Sequence, residues 1–307
     1  MGMLQGKVAL VTGAGNGIGR SEALSLAAHG AAVIVNDLGC KAGGGPSAGQ
    51  PGPAAAVAAE IVRAGGRAVA SNADVCDWDA ALGIVEQAMN AFGRLDIVIT
   101  NAGIVRRSPI TEVTEDDLDA QMAVLFKGTF GLIRHAGRRW KREYEAGNHA
   151  HRTIVATSSS AGVPGGVREF SVYGAMKSGI AALALGAALE FRSFGVTVNA
   201  ILPHAATRMD SQAKGLPDYP RFDPGDPHPD NPQHVANVVS YLASEKASWL
   251  TGQVFEITGT NVRRWLPWSP HGEVSRPAQW TADALGEALA TTVYGTLPGG
   301  RVIPARR

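Results

Sequence analysis

Cysteine is scarce in this chain: its 307 residues contain only Cys40 and Cys76. Two thiols are too few for a disulfide framework, and without further cysteine or histidine ligands close by they do not make a structural zinc site. No metal site is expected. An excess of charge is lacking too. Lysine and arginine number 28 against 27 acidic residues, a net charge of +1, so no basic field draws nucleic acid or anionic lipid, and neither is expected as a partner. No apolar run approaches the roughly 20 residues of a bilayer span. The N-terminus, Met1-Gly2-Met3-Leu4-Gln5-Gly6-Lys7, enters a strand without the pattern of a secretory leader, and the expected compartment is the cytoplasm. What remains is a chain with 45% hydrophobic and 18% charged residues, ample for a core and unlike a disordered segment.

Short apolar runs at Val8 to Val11, Ala32 to Asn36, Ala68 to Asn72, Leu95 to Thr100, Arg152 to Thr157, Val196 to Leu202 and Val254 to Thr258 alternate with helical stretches. Those stretches are Gly19 to His29, Ala54 to Ala64, Trp78 to Phe92, Glu115 to Arg142, Tyr173 to Phe194 and Pro232 to Ala243. Gly30 and Gly65 follow two of them as helix stops. Such alternation predicts an α/β fold: a single Rossmann-like, doubly wound parallel sheet of about seven strands with helices on both faces. Residues 1–260 form that unit. The Gly- and Pro-rich stretch 39–53 reads as an inserted surface loop. Residues 261–307 read as a C-terminal extension; with Trp265, Trp268 and Trp280 and a short helix capped by Thr281, it is expected to pack on the core or a neighbouring subunit.

After the first strand comes Gly13-Ala14-Gly15-Asn16-Gly17-Ile18-Gly19. Glycines there permit the turn and a close backbone approach, and the helix that follows offers amide donors and a positive dipole end to a pyrophosphate. Asp37 ends the second strand about 20 residues further on, where a carboxylate accepts from an adenosine ribose. That points to NAD, since a 2′-phosphate would repel Asp37 and require an arginine, whereas Asn36 and Leu38 are the neighbours. Asp74-Val75 and Asn101-Ala102-Gly103 end the third and fourth strands, at the edge where open α/β sheets bind ligands. Asp74 has two readings, an acceptor for the adenine amino group or the N-cap of the next helix.

The fifth strand ends in Thr157-Ser158-Ser159-Ser160-Ala161-Gly162. A hydroxyl at that edge can donate to a carbonyl or alkoxide oxygen. Downstream, Tyr173 and Lys177 stand one turn apart on a helix. A lysine ammonium beside the phenol would favour its ionised form and bring its proton transfer toward neutral pH.

By Thr12-Gly13-x-x-x-Gly17-x-Gly19, Asn101-Ala102-Gly103, the serine run and Tyr173-x-x-x-Lys177, residues 4 to 260 resemble the short-chain dehydrogenase/reductase family. Asn36-Asp37-Leu38-Gly39 with its long loop, and Pro203-His204-Ala205-Ala206-Thr207-Arg208-Met209, are similar to the dehydrogenase unit of multifunctional enzymes of type 2, which oxidises 3-hydroxyacyl-CoA. The resemblance implies an enzyme with NAD as cofactor, Tyr173 as catalytic acid/base, Lys177 as its pKa-lowering partner and ribose ligand, and a serine as oxyanion donor. The Ser-x-x-Gly register selects Ser159, while the family's usual spacing to the tyrosine selects Ser160; Ser159 is preferred. The cofactor set is then Gly13, Asn16, Gly17, Ile18, Gly19, Asp37, Asp74, Val75, Asn101, Ala102, Gly103, Tyr173 and Lys177.

One position departs from the family pattern. Leu125 stands where an asparagine commonly holds a water that relays protons to the lysine, and leucine has no side-chain hydrogen bond to offer. Lys127 and His135 nearby read as helix-surface residues. His204 falls where the family has glycine, either facing substrate or filling a loop; His149 and His151 lack zinc-ligand spacing. The implied substrate is a secondary alcohol, a 3-hydroxyacyl-CoA or a steroid-like or terpenoid alcohol, under a lid at residues 211–231. Leu125 motivates two rivals on the same fold, an NAD-binding sensor or scaffold and a non-redox lyase. The long helices around Leu125 and Tyr173 are the family's usual contact faces, implying a homodimer or homotetramer.

Overall fold

The computed structural model describes residues 2–41, 43, 52–213, 220, 222–266 and 272–294. Most of the inserted stretch 39–53, part of the expected lid and Trp268 lie outside the described residues. In chain order the elements are β1 (Val8–Thr12), α1 (Gly17–Ala28), β2 (Ala32–Asn36), α2 (Pro53–Arg63), β3 (Arg67–Ser71), α3 (Trp78–Phe92), β4 (Ile97–Thr100), α4 (Glu115–Gln121) and α5 (Gly128–Glu145). There follow β5 (Arg152–Thr157), α6 (Ser171–Phe191), β6 (Val196–His204), α7 (Arg208–Ala213), α8 (Gln233–Leu242), β7 (Val254–Thr258) and β8 (Asn261–Trp265).

The strands form one sheet in the order β3-β2-β1-β4-β5-β6-β7-β8. All neighbours up to β7 run parallel, and β8 returns antiparallel to β7. The sheet therefore has eight strands, not seven. Its last strand lies within the stretch assigned to the extension, and the compact unit runs to Trp265. A two-residue turn, Gly259-Thr260, makes the hairpin from Thr258 to Asn261, with Gly259 at a φ of 55°, the backbone that favours glycine at the first central position.

Period-two alternation divides the core. Val8, Leu10, Val98, Ile154, Ala156, Val198 and Leu202 pack under α3, α5 and α6. Ala9, Val11, Ile99, Val155 and Ile201 pack under α1, α2 and α8. The inner strands are thus buried on both faces, which explains why they read as largely apolar runs. By length and composition α6 with the turn after it matches a bilayer span, contrary to the expectation that no such run exists. Its inner stripe of Ile180, Ala181, Ala184, Ala187 and Ala188 is buried in the core.

The expected single helix over 115–142 is interrupted. A π-helical turn, Met122–Lys127, joins α4 to α5, inserting extra backbone at the level of Leu125 and shifting the facing side chains. α4 itself starts with a capping box, Thr114 Oγ1 accepting from Asp117 N at 3.1 Å. A separate unit, Leu266–Arg307, contains α9 (Ala282–Ala288), whose N-cap Thr281 accepts from Ala284 N at 3.3 Å.

Candidate active site

Strand order reverses between β1 and β4, and an α/β sheet opens a crevice at the carboxyl ends of its strands at such a point. A cavity of about 700 Å³ lies there. It is lined by Gly13, Asn16, Gly17, Ile18, Asp37, Asp74, Val75, Asn101, Ala102, Gly103, Ser159, Tyr173 and Lys177. Of the residues picked from the sequence, Gly19 alone stands behind the wall. A Cβ on Gly19 would lie 2.4 Å from both Asn101 Nδ2 and Gly13 O, so glycine lets α1 seat against the glycine turn and the Asn101 side chain.

The glycine turn is built around Thr12 and Asn101. Thr12 Oγ1 accepts from the amides of Asn101 and Ala102 at 3.1 Å, and Asn101 Nδ2 donates to the carbonyls of Thr12 and Gly13 at 3.0 and 3.2 Å. Asn101 thereby ties β4 to the turn with its side chain. Gly13 has a φ of 62°, and a Cβ on it would lie 2.8 Å from Ala102 Cα. The N-cap of α1, Asn16, makes no side-chain cap, and no acidic residue occupies the first turn. The helix thus presents uncapped amides and its positive end to the cavity, a cradle that fits a pyrophosphate.

Asp37 closes the other side of that turn. Its Oδ2 accepts from Gly15 N at 2.9 Å and its Oδ1 from Gly39 N at 2.8 Å. Asp74 accepts from Cys76 N at 2.8 Å. It does not cap the following helix; that role belongs to Asp77, which accepts from Ala80 N at 2.7 Å. Asp74 is therefore free to face the cavity beside Cys40 and Cys76, two lining residues that sequence reasoning left unassigned. Their positions just past the second and third strand ends were the available signal.

At the far end α6 carries Tyr173 and Lys177, both buried. Burial pushes the Tyr173 phenol up to about 12, opposed by a hydrogen bond with Ser159. Burial also lowers Lys177 to about 7. The expected lowering of Tyr173 by Lys177 is thus overridden: desolvation disfavours the charged form of both groups. Lys177 Nζ donates to the carbonyl of Thr157 at 2.6 Å and lies 5.6 Å from the centre of the Tyr173 ring. The serines divide their work. Ser158 is buried and donates to the carbonyl of Lys177 at 2.6 Å, while Ser159 reaches the phenol and accepts from Ala161 N at 3.1 Å. Ser160 also lines the cavity, as do the apolar Ile104, Val105, Phe170 and Met209.

Leu125 is fully buried, and its Cδ2 lies 3.1 Å from where a Cβ on Gly103 would be. The family's asparagine position is therefore filled by apolar packing. Lys127 is exposed as expected, but His135 is not a surface residue: it is buried edge-on to Trp78, 5.0 Å between ring centres, and burial lowers its pKa. Among the described residues no group of three or more histidine, cysteine, aspartate or glutamate side chains is placed to hold a metal.

Residues 13–259 match the family model described as enoyl-(acyl carrier protein) reductase. The chain belongs to the short-chain dehydrogenase/reductase family. It is an oxidoreductase, of a family that uses NAD or NADP. It is 38% identical over 291 residues to the hydroxyacyl-CoA dehydrogenase ChsB1 of Mycobacterium tuberculosis, covering 94% of this chain and 88% of that one. It is 40% identical over 205 residues, 66% of this chain and 26% of the relative, to the mouse peroxisomal multifunctional enzyme type 2. The crystal structure of a short chain dehydrogenase from Mycobacterium avium superimposes with a TM-score of 0.85 at 40% identity, covering 96% of this chain and 97% of that one.

Proposed function

We propose that the protein is an NAD-dependent dehydrogenase that interconverts a secondary alcohol and a ketone, with a 3-hydroxyacyl thioester as the favoured substrate class. One observation carries the reading: a single cavity holds Asp37 beside an uncapped helix N-terminus at one end and Ser159, Tyr173 and Lys177 at the other. The uncapped amides at Gly17 and Ile18 would hold the pyrophosphate, Asp37 the adenosine ribose, and Lys177 the second ribose. NAD, when bound, supplies a hydride acceptor. Ser159 steadies the substrate oxygen while Tyr173 takes the hydroxyl proton in oxidation or gives it back in reduction. With its pKa pushed up to about 12 by burial, the phenol is the proton donor for reduction at neutral pH, and the phenolate that oxidation requires becomes more populated as pH rises.

The apolar wall of Ile104, Val105, Phe170 and Met209 suits an acyl chain, and the name of the Mycobacterium tuberculosis relative, a hydroxyacyl-CoA dehydrogenase, points the same way. Exposed Phe130 on α5 and Leu189 on α6 support association of copies through those helices, and two free cysteines suit a reducing cytoplasm. Tyr173→Phe tests the reading: it should retain NAD and lower turnover by about 10²- to 10⁴-fold, followed as NADH absorbance. Unchanged turnover overturns it.

A further inference from the structure

The last three strands bring a polar cluster to the substrate end of the cavity. Register pairs Leu202 with Glu256 and Glu256 with Arg263, and alternation along each strand then sets His204, Glu256, Arg263 and Trp265 on the sheet face that carries α6. Glu256 is buried at 8% exposure. Its Oε2 accepts from Trp265 Nε1 at 2.9 Å and lies 3.5 Å from Arg263 Nη1. Its Oε1 lies 3.4 Å from His204 Nε2. The carboxylate is thus fixed from behind by β8, the strand absent from the sequence reading.

His204 lines the same cavity as Ser159 and Tyr173. Its side chain is 41% exposed, yet Nε2 is buried and makes no hydrogen bond among the described residues, standing near Glu256 at ion-pair range only. The ring's accessible surface therefore lies on its atoms other than Nε2. A carboxylate held by β8 on one side and standing behind a half-open imidazole on the other is placed to orient that ring.

We propose that His204 is a specificity-determining residue: its Nδ1–H donates to the carbonyl oxygen of a 3-hydroxyacyl substrate, and Glu256 acts as a positioning residue behind it. The inference rests on the dehydrogenase reading, which places the reacting carbinol at Ser159 and Tyr173; the acyl carbonyl beside that carbinol is the group a plain secondary alcohol lacks. A polar group that meets His204 earns discrimination against analogues without it, because the desolvated ring would otherwise be left unpaired.

A matched pair of compounds tests this. The N-acetylcysteamine thioester of 3-hydroxybutanoate is compared with the thioether in which CH₂ replaces the carbonyl. His204→Ala should lower kcat/KM for the thioester about 10- to 100-fold, mostly through KM, and leave the thioether within about twofold. His204→Gln, which keeps an N–H donor, should recover part of the loss. Glu256→Gln should lower the thioester alone and add nothing in the His204→Ala background. Calorimetry gives a readout independent of turnover: the wild type should bind the thioester at least about tenfold more tightly than the thioether, and His204→Ala should erase the difference. Equal losses on both compounds, equal wild-type affinities, or an unaffected thioester overturn the proposal. Selective binding through His204 without any NADH formation would instead overturn the dehydrogenase reading and leave this anchor standing.

Discussion

Lys177→Met should stabilise the protein while abolishing its activity, and the gain should depend on pH with a sign set by burial. The ammonium is almost wholly enclosed, and its pKa falls from 10.5 to about 7. At ~1.4 kcal/mol per pH unit this amounts to about 5 kcal/mol held against folding when the group is charged. Below pH 7 both folded and unfolded chains carry the proton, so the cost is present in full. Between pH 7 and 10.5 the unfolded chain binds one more proton than the folded one, so wild-type stability gains up to ~1.4 kcal/mol per pH unit from this residue. Methionine fills similar volume without charge; it loses the bond to Thr157 O, worth about 1 kcal/mol. The variant should therefore exceed the wild type by about 4 kcal/mol at pH 6, with the advantage shrinking steadily as pH rises. Tyr173, pushed up to about 12, stays neutral throughout and does not confuse the slope. Urea unfolding at fixed protein concentration and pH 6, 7.5 and 9 checks this. A variant less stable than the wild type by the same amount at every pH would refute it.

Two further outcomes follow from the cofactor end. Under the proposed function Asp37→Ser removes the carboxylate assigned to the adenosine ribose but keeps a short hydroxyl, so NAD affinity should fall about tenfold and selectivity should move toward NADP; unchanged selectivity in nucleotide titrations counts against Asp37. The glycines of two helices should respond in opposite directions. Gly83→Ala in α3, where a Cβ meets nothing within 4 Å, should stabilise by about 0.5–1 kcal/mol. Gly19→Ala, where a Cβ would lie 2.4 Å from backbone, should lower the unfolding midpoint markedly; a neutral Gly19→Ala refutes the close seating of α1.

β1, β2, β4 and β5 were legible because they are buried along their whole length, and the part-exposed β3 and β7 were placed by their alternation with helices; Arg152–Thr157 and Val254–Thr258 fall where the residues put them. β8 was not, since Asn261-Val262-Arg263-Arg264-Trp265 is an edge strand with one polar side, and its only local signal was the glycine of the hairpin turn. The glycine turn, Asp37 and the Tyr173–Lys177 pair were readable from spacing, being short-range patterns on a strand–turn–helix frame. The pKa order of that pair was not, because helix spacing fixes proximity but desolvation depends on everything packed around α6. Nor was the role of Glu256. A glutamate in a strand reads as a solvated position until the register shows Trp265 and His204 on either side of it.

Charged groups are buried at both ends of this sheet, and Asp96 and Arg152 at one end are paired differently from Lys177 at the other. At the amino edge Asp96 and Arg152 are 1% and 3% exposed. There Asp96 accepts from Val8 N at 2.9 Å and from Arg94 at 2.8 Å, and Arg152 Nη2 meets Glu143 Oε2 at 2.7 Å. Each charge has a countercharge, so the desolvation cost is largely offset and removing one partner would strand the other. At the carboxyl edge Lys177 has a carbonyl for a partner and, among the described residues, no ion pair. A fold gains nothing in stability from such a lysine. Under the proposed function, a ligand carrying negative charge and hydroxyl groups completes the set that Lys177 forms with the protonated phenol and the uncapped helix N-terminus.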